Sequence, residues 1–356
     1  MRLVNNLVFA NLIYRDYSDE FVNVGDTVNI RRPASFTSHD FVADSSQVVV
    51  QTVTESNISV VMNRHRDISF EVTAKDLTLS VTEFGERLIQ PAIEAHAQAI
   101  DADIAALYKD IPYRTGTAGV TPAALSAISA ARKQLNVLKA PMANRRLVID
   151  PDAEASLLTL DAVVNAEKSG STAALREASL GRLLGLDTYM SQNVPHHTTG
   201  GDDCAIDQAS GDGGYPAGTT TIHVDGLSAS CAVGDLLTIG GDPYVVTAVA
   251  NYSAGDEDLT IYPALTAAVA NDAPVTVIAS HTANLAFHPR AFALVTRPLA
   301  KPLGLQASQV EVINWNGIAV RVVYTYNSTT KKDMVSLDLL YGLKTLQPEL
   351  ACRLLG

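Results

Sequence analysis

The sequence has few of the residues on which disulfide-rich and membrane proteins depend. It contains three cysteines (Cys204, Cys231 and Cys352), which lie far apart and form no C-x-x-C pair. This spacing predicts synthesis in a reducing, cytosolic compartment. No apolar run reaches the roughly 18 residues that a membrane helix needs. Asparagines also interrupt the apolar residues of the N-terminus, so we predict neither a membrane span nor a signal peptide.

Basic residues are missing from one long segment. No lysine or arginine lies between Arg182 and Arg290, whereas the same interval holds twelve acids. The acids elsewhere equal the basic residues in number, so this segment carries the whole net charge of -12. We expect it to be solvated and to stay away from phosphate. Nothing in the chain predicts a nucleic-acid groove.

Common catalytic signatures are missing as well. The sequence contains no G-x-G-x-x-G, Walker, G-x-S-x-G or H-E-x-x-H motif. A zinc site could be imagined at His196, His197 and Cys204. A fourth ligand at zinc spacing is missing, so a solvent-exposed loop is favoured over a zinc site. The acids of 202–212 and 256–258 do not follow the calcium-loop spacing, which favours solvated loops. We therefore predict no catalytic residue, no metal site, no cofactor and no enzymatic activity.

Two further residues are candidates for a role in packing. His96 has the residue type of an acid or base, but a packing or interface role is favoured. Trp315, next to Gly317, is expected to anchor a turn rather than to form a binding platform.

Residues 80–111 have the pattern of one long helix. Apolar residues recur at intervals of three or four over about six turns: Ile89, Ile93, Ala97, Ile100, Ile104, Leu107 and Ile111. Ser80 and Glu83 form a capping-box pattern at its start. Pro91 predicts a kink, or a restart with the proline in a first turn. We interpret this helix as a spine that joins unlike parts of the chain.

The segments before the spine are predicted to need a partner surface. Residues 1–24 read as an amphipathic arm that must pack on something else. Residues 26–78 contain four stretches rich in β-branched residues. The first begins at Thr27, and the others cover 46–55, 56–63 and 67–75. A hairpin turn is expected at 55–57. These stretches predict a long flap of few strands, which is marginally stable alone.

The segments after the spine predict a mixed body that contains an insertion. A helix is expected to begin at Thr121-Pro122, and the strand RRLVID is expected to lead into a helix opened by Asp150-Pro151. A weaker helix covers 171–179, and a strand follows it. Between His196 and Ala279, five short strands separated by turns predict a small closed sheet or barrel. We interpret it as an inserted domain.

The C-terminal third resembles a known family. The stretches NLAFHPRAFALVTRPLAKP, GIAVRVVYTYN and DLLYGLKTLQPELACRLL are similar to those of tailed-bacteriophage major capsid proteins, most closely the coat proteins of lambdoid short-tailed phages. The resemblance implies an α+β fold of the Hong Kong 97 type, with peripheral and axial domains and a barrel-like insertion. Its parts would be an arm (1–24), an extended β-loop (25–79), spine and peripheral domain (80–120), an axial body (121–198), an acidic β-insertion (199–280) and returning strands (281–356).

The resemblance also implies a function and partners. Hexamers and pentamers of the chain would assemble, in the host cytoplasm, into an icosahedral virion shell around double-stranded DNA, which is contacted non-specifically. A portal protein, a separate scaffolding protein and a decoration protein are further implied partners. Some relatives cross-link through a lysine of the extended loop, but the first lysine here is Lys75, so a non-covalent shell is expected. Some relatives carry a cleaved scaffolding segment before the arm; we expect none here, and therefore a separate scaffolding protein or assembly without a scaffold. Candidate assembly residues are Phe9, Tyr14, Val49, Ile68 and Pro91.

Three alternatives stay open from the sequence. A cellular nanocompartment shell of the same fold would enclose enzymes instead of DNA. A virion surface protein would use the β-insertion to bind a ligand. A hydrolase that uses the acidic loops is the least favoured alternative.

Overall fold

A computed structural model describes residues 7–15, 27–31, 36, 38–39, 50–52, 57–73, 88–165, 173–208, 213–302, 309–315, 318–330 and 332–356. The chain forms two compact units that each combine distant segments. The larger unit comprises Met1–Tyr14, Glu83–Phe292 and Thr345–Gly356, and the smaller one comprises Arg15–Thr82 and Ala293–Lys344. The predicted range 281–356 is therefore divided between the two units. The predicted domain boundaries themselves stay predictions.

The larger unit is built on a seven-stranded mixed sheet. Its strands run in the order β4-β20-β15-β5-β7-β6, and β8 pairs with β15. Their bounds are β4 Arg114–Thr115, β5 Arg146–Ile149, β6 Arg182–Leu183, β7 Leu186–Met190, β8 His196–His197, β15 His281–Phe287 and β20 Ala351–Leu355. Leu147, Leu186 and Leu354 are fully buried and form a core with the helices. Burial of such aliphatic side chains is the main favourable term in folding.

Helices of the larger unit supply the rest of this core. They are α1 Phe9–Leu12, α2 Gln90–Ala105, α3 Leu125–Val137, α4 Pro151–Leu158, α5 Asp161–Val164 and α6 Ala173–Glu177, with short 3-10 turns at Ala106–Asp110, Pro289–Ala291 and Pro348–Leu350. On α3, Ile128, Ala131 and Leu135 are fully buried at the predicted spacing. The predicted start of α3 was wrong: Thr121 and Pro122 precede the helix, which begins at Leu125 after an extended Ala124. Asp150-Pro151 opens α4 as predicted.

The spine is helical through Pro91. Leu88 and Ile89 are already wound helically, and Pro91 lies in the first turn of α2, where a missing N–H costs no hydrogen bond. Ala97, Ile100 and Ile104 form its buried face, and a 3-10 turn continues it to Asp110. Pro91 thus lies in a first turn, as predicted; whether the helix restarts there depends on residues 80–87, which, with Ser80 and Glu83, lie outside the described residues.

The barrel lies within the predicted insertion. Six antiparallel strands close in the order β10-β13-β12-β11-β14-β9. Five were predicted, and the three-residue strand β9 was missed. Their bounds are β9 Cys204–Ile206, β10 Thr221–Asp225, β11 Leu236–Ile239, β12 Asp242–Ser253, β13 Asp256–Tyr262 and β14 Pro274–Val277. The chain enters after β8 and leaves into β15, and His197 pairs with His281 across these strands. Both ends of the barrel segment therefore meet, as expected of an insertion.

The described residues of the smaller unit form two sheets. Strands β1 Thr27–Arg31 and β2 Asn57–Val61 form an antiparallel pair, which confirms two of the predicted strands of the flap. The other sheet has the order β16-β19-β18-β17, and β3 pairs with β19. Its bounds are β3 Arg64–Thr73, β16 Phe292–Arg297, β17 Val310–Trp315, β18 Ile318–Asn327 and β19 Lys332–Thr345. Of the predicted strand 46–55, the described residues 50–52 are not strand.

Candidate functional site: the seam between barrel and body

A buried chain of three polar side chains joins the barrel to the rest of the larger unit. The Tyr108 hydroxyl lies 2.8 Å from His197 Nδ1, and His197 Nε2 lies 2.8 Å from Asp235 Oδ1. Tyr108 follows the spine helix, His197 is in β8, and Asp235 precedes the barrel strand β11. All three side chains are almost completely buried. We call this arrangement, with the residues packed around it, the seam.

The chemistry of these groups fixes the direction of the hydrogen bonds. A carboxylate only accepts, so His197 Nε2 must carry the proton that it donates to Asp235. In the neutral ring, Nδ1 then accepts from the Tyr108 hydroxyl. Asp235 also accepts from the backbone N–H groups of Gly200, Gly201 and Ala232. Its carboxylate therefore fixes both the histidine and two turns of the barrel segment.

A buried arginine and a second histidine complete the seam. Arg353 lies 4.9 Å over the Tyr108 ring and donates to the Gly234 carbonyl at 2.9 Å. Burial lowers the pKa of Arg353 to about 9. The ring of His281 lies 5.2 Å from that of His197, and burial lowers the pKa of His281 to about 4. At neutral pH His281 is therefore uncharged, and because a carbonyl only accepts, its Nδ1–H donates to Ala279.

Further contacts extend the seam along the barrel wall. Arg114 donates to the Thr238 hydroxyl at 2.7 Å, and Tyr262 donates to the Glu349 carboxylate at 2.8 Å. Leu236 and Val245 of the barrel pack with Leu355 of β20 in one buried cluster. The barrel thus shares buried polar and apolar contacts with the body.

The acidic segment differs from its predicted solvated state at two positions. Asp235 and Glu257 are buried, and Glu257 accepts from the Cys231 N–H at 2.8 Å. The prediction of an exposed His196-His197 loop was also wrong at His197, because β8 places that ring inside the seam while His196 stays exposed. The residues next to His197 in sequence gave no sign that its ring is buried, because the residues that bury it, such as Tyr108 and Asp235, lie far away along the chain.

Three acids of the barrel segment accept local hydrogen bonds. Asp202 accepts from the backbone and hydroxyl of Ser228, and Asp203 accepts from the Val277 N–H at 2.7 Å. Asp258 lies 2.7 Å from His223 Nδ1. The part of the chain described by the structure holds no cluster of three or more histidine, cysteine or acidic residues arranged for a metal ion.

The arm is anchored on the spine by a buried carboxylate. Asp101 of α2 accepts from the Ala10 N–H at 3.2 Å and from Asn193 Nδ2 at 3.3 Å. Burial raises the pKa of Asp101 to about 6, although the hydrogen bonds from Ala10 and Asn193 oppose this effect. Leu7 and Phe9 are buried beside it. The described start of the arm, residues 7–13, therefore packs on its own subunit.

The candidate assembly residues lie in different surroundings. Phe9 is buried within the subunit, whereas Tyr14 is 37% exposed. Pro91 is exposed on the spine, Ile68 is half-buried on β3, and Val49 lies outside the described residues. The structure does not bring these residues together into one site, and their role in assembly stays a prediction. His96 is buried, which agrees with packing, while the Trp315 side chain lies outside the described residues.

The smaller unit presents one apolar sheet face, which contains Ile68. Ile68 is opposite Leu337, which is opposite Val322 on the next strand, and directly opposed residues share a face. Leu337 is fully buried, whereas Tyr324 and Ile313, farther along this face, are 41% and 48% exposed. The other face carries polar contacts, such as the one that Arg321 donates to Asp338 at 2.9 Å, together with the buried pair Val310 and Val323. An apolar face that is covered only in part is typical of an interaction surface.

No helix among the described residues is long and apolar enough to cross a membrane. Comparison of the sequence with protein-family models and with curated proteins finds no match.

Several solved structures are similar to the whole chain. The structure of Mycobacterium phage Che8 matches with a TM-score of 0.57 and 18% identity, over 98% of this chain and 90% of that one. The capsid of cyanophage P-SCSP1u matches with a TM-score of 0.56 and 12% identity, over 98% and 87%. The capsid of a native GTA particle matches with a TM-score of 0.53 and 10% identity, over 98% and 89%. The chain therefore has a fold found in phage and GTA capsids.

Proposed function

We propose that this chain is the major capsid protein of a tailed bacteriophage. The observation that carries the proposal is the similarity of nearly the whole chain to the capsids of cyanophage P-SCSP1u and a GTA particle. Copies of the chain would form hexamers and pentamers that close into an icosahedral shell around double-stranded DNA. The virion capsid is the corresponding location, and the stretches of the C-terminal third support the same family.

The architecture would be that of the Hong Kong 97 type. The spine helix Gln90–Ala105 and the five-stranded sheet would belong to the peripheral domain. The sheet with helices α3 and α4 would form the axial domain. The antiparallel pair β1-β2 supports an extended β-loop that reaches a neighbour. The acid-rich barrel would face away from packaged DNA, because phosphate repels it.

Assembly would be non-covalent and would depend on apolar surface. No lysine lies within residues 25–74, which argues against a cross-link from the extended loop. The partly covered face with Ile68, Tyr324 and Ile313 provides apolar area that association can bury. Tyr14 and Pro91 are further candidate contacts.

The proposal names partners that an experiment can look for. A portal protein, a separate scaffolding protein and a decoration protein would accompany the shell. Electron microscopy of particles from cells that produce the chain tests this directly. We expect closed shells that hold DNA when the other phage proteins are present. Closed shells filled with enzymes would identify a nanocompartment, and monomers or fibres would exclude a shell protein.

A further inference from the structure

Charge is segregated within the larger unit between two regions. Residues 111–149 contain no aspartate or glutamate, although they hold six basic residues. The interval from 183 to 289, which includes the barrel, contains acids but no lysine or arginine. Two regions of opposite charge on one chain are complementary between copies of that chain.

The basic region presents a defined exposed stripe. On α3, Arg132, Lys133 and Val137 are exposed at helical spacing, opposite the buried face of that helix. Lys139 and Met142 are exposed in the turn that follows. We call these five residues the basic patch. Val137 and Met142 are 63% and 72% exposed, so the basic patch combines positive charge with apolar surface, a composition that favours a protein contact.

The cations of the basic patch are not engaged in ion pairs within the described residues. Within the described part of the chain, Arg132, Lys133 and Lys139 form no ion pair. Lys and Arg on an exposed helix face without acids produce a positive field that acts beyond the subunit.

A buried arginine holds the turn of the basic patch in place. Arg145 donates to the carbonyls of Pro141 and Ala140, at 2.8 and 2.7 Å, and to the side chain of Asn136 at 2.7 Å. These bonds join the last turn of α3 to the loop that carries Lys139. A surface fixed in this way loses little conformational freedom on binding.

The complementary surface lies at one end of the barrel. Asp242 opens the hairpin between β11 and β12, where Ile239 pairs with both Asp242 and Val275. This register brings Asp272, three residues before Val275, to the same end. Both carboxylates are exposed. We call Asp242 and Asp272 the acidic end.

We propose that the basic patch of one copy binds the acidic end of the barrel of a second copy. The inference deepens the proposed function, on which it rests, by naming one contact between subunits. The barrel segment itself contributes no lysine or arginine that would repel the approaching basic patch. Packaged DNA would be the competing occupant of the basic patch, and the experiment separates the two.

Charge reversal with rescue tests the contact. The patch variant carries Arg132→Glu, Lys133→Glu and Lys139→Glu, and the barrel variant carries Asp242→Lys and Asp272→Lys. Assembly of nucleic-acid-free protein is followed by light scattering at low and high salt. We expect the patch variant to assemble about tenfold or more slowly at low salt. The difference should shrink at high salt, which screens exposed charges. A variant that carries both the patch and the barrel substitutions should regain most of the wild-type assembly rate.

Controls keep the outcomes distinct. Arg176→Glu reverses an exposed charge on α6, outside the basic patch, and should leave the rate unchanged. Circular dichroism shows whether each variant is folded. If the patch variant and the combined variant assemble equally slowly, the acidic end is not what binds the basic patch. If the patch variant assembles at the wild-type rate, the basic patch makes no contact in assembly. If the wild-type protein forms no shell, the proposed function fails. The contact is still tested by sedimentation velocity of a mixture of the patch variant and the barrel variant, whose reversed charges should let them associate with each other.

Discussion

Asp235 accepts a hydrogen bond from His197 at 2.8 Å, although one residue belongs to the barrel segment and the other lies in a strand outside it. The same carboxylate accepts from three backbone N–H groups. One buried charge therefore fixes the position at which the barrel joins the body. A buried carboxylate is stable only when such donors replace water.

Removal of the histidine should weaken the larger unit. His197→Ala leaves Asp235 and Tyr108 without their shared partner, and we expect a loss of about 2 to 3 kcal/mol in the free energy of unfolding. Chemical denaturation measures it. His196→Ala is the matched control, because His196 is exposed, and it should change stability by less than about 0.5 kcal/mol. Equal effects of the two substitutions would contradict the seam.

Two buried groups should make stability depend on pH in opposite directions. His281 has a pKa of about 4 in the fold against 6.5 as its ordinary value. The unfolded chain therefore binds more protons between these values, and stability rises as pH rises from about 4 to 6.5. Asp101 has a pKa of about 6 against 3.8. Here the folded chain binds more protons, so stability falls as pH rises from 3.8 to about 6.

Each effect amounts to about 3 kcal/mol, because one pKa unit corresponds to about 1.4 kcal/mol. The two nearly cancel in the wild type, which should show a shallow profile between pH 4 and 6.5. Asp101→Asn should expose the rise due to His281, and unfolding at a series of pH values measures it. A profile that stays shallow in Asp101→Asn would show that these groups do not govern the pH dependence.

Local patterns were sufficient to predict several elements. The buried face of α3, the start of α4 at Pro151 and five barrel strands follow from spacing and turn residues. Pairing between distant segments was not predictable in this way. Strand β3 pairs with β19, although Ile68 and Leu337 lie far apart in sequence, and no local pattern encodes that register.

The seam was missed for the same reason. His197 and Asp235 looked like members of a polar loop and an acidic segment, and only the tertiary cover makes them buried. The available signal was weak. Asp235 directly precedes the apolar run Leu236–Ile239, which forms the buried strand β11. A polar residue at the start of a buried strand can itself be buried. Strand β9, of three residues, is too short to produce a pattern.

Ile68 should matter more for assembly than for folding. It is half-buried on the apolar face, so Ile68→Asp should prevent association while the subunit keeps its circular dichroism spectrum. Leu337→Asp is the comparison, because Leu337 is fully buried opposite Ile68 and an unpaired charge there should unfold the subunit. Loss of the fold in Ile68→Asp would place this residue in the core.

Deletion of residues 199–280 should leave a body that folds with reduced stability. His197 and His281 are paired at the ends of the deleted segment, so a short turn can join them. The deletion uncovers Leu355, removes Asp235, which is the partner of His197, and removes Gly234, whose carbonyl accepts from Arg353. We expect a cooperative unfolding transition at lower denaturant concentration, and wholly insoluble protein would show that the barrel is needed for folding.

Electron microscopy of the purified wild-type chain tests the central claim most directly. We expect capsomers or closed icosahedral shells built from this chain alone or together with a scaffolding protein. Protein that stays monomeric under both conditions, with a folded spectrum, would contradict it.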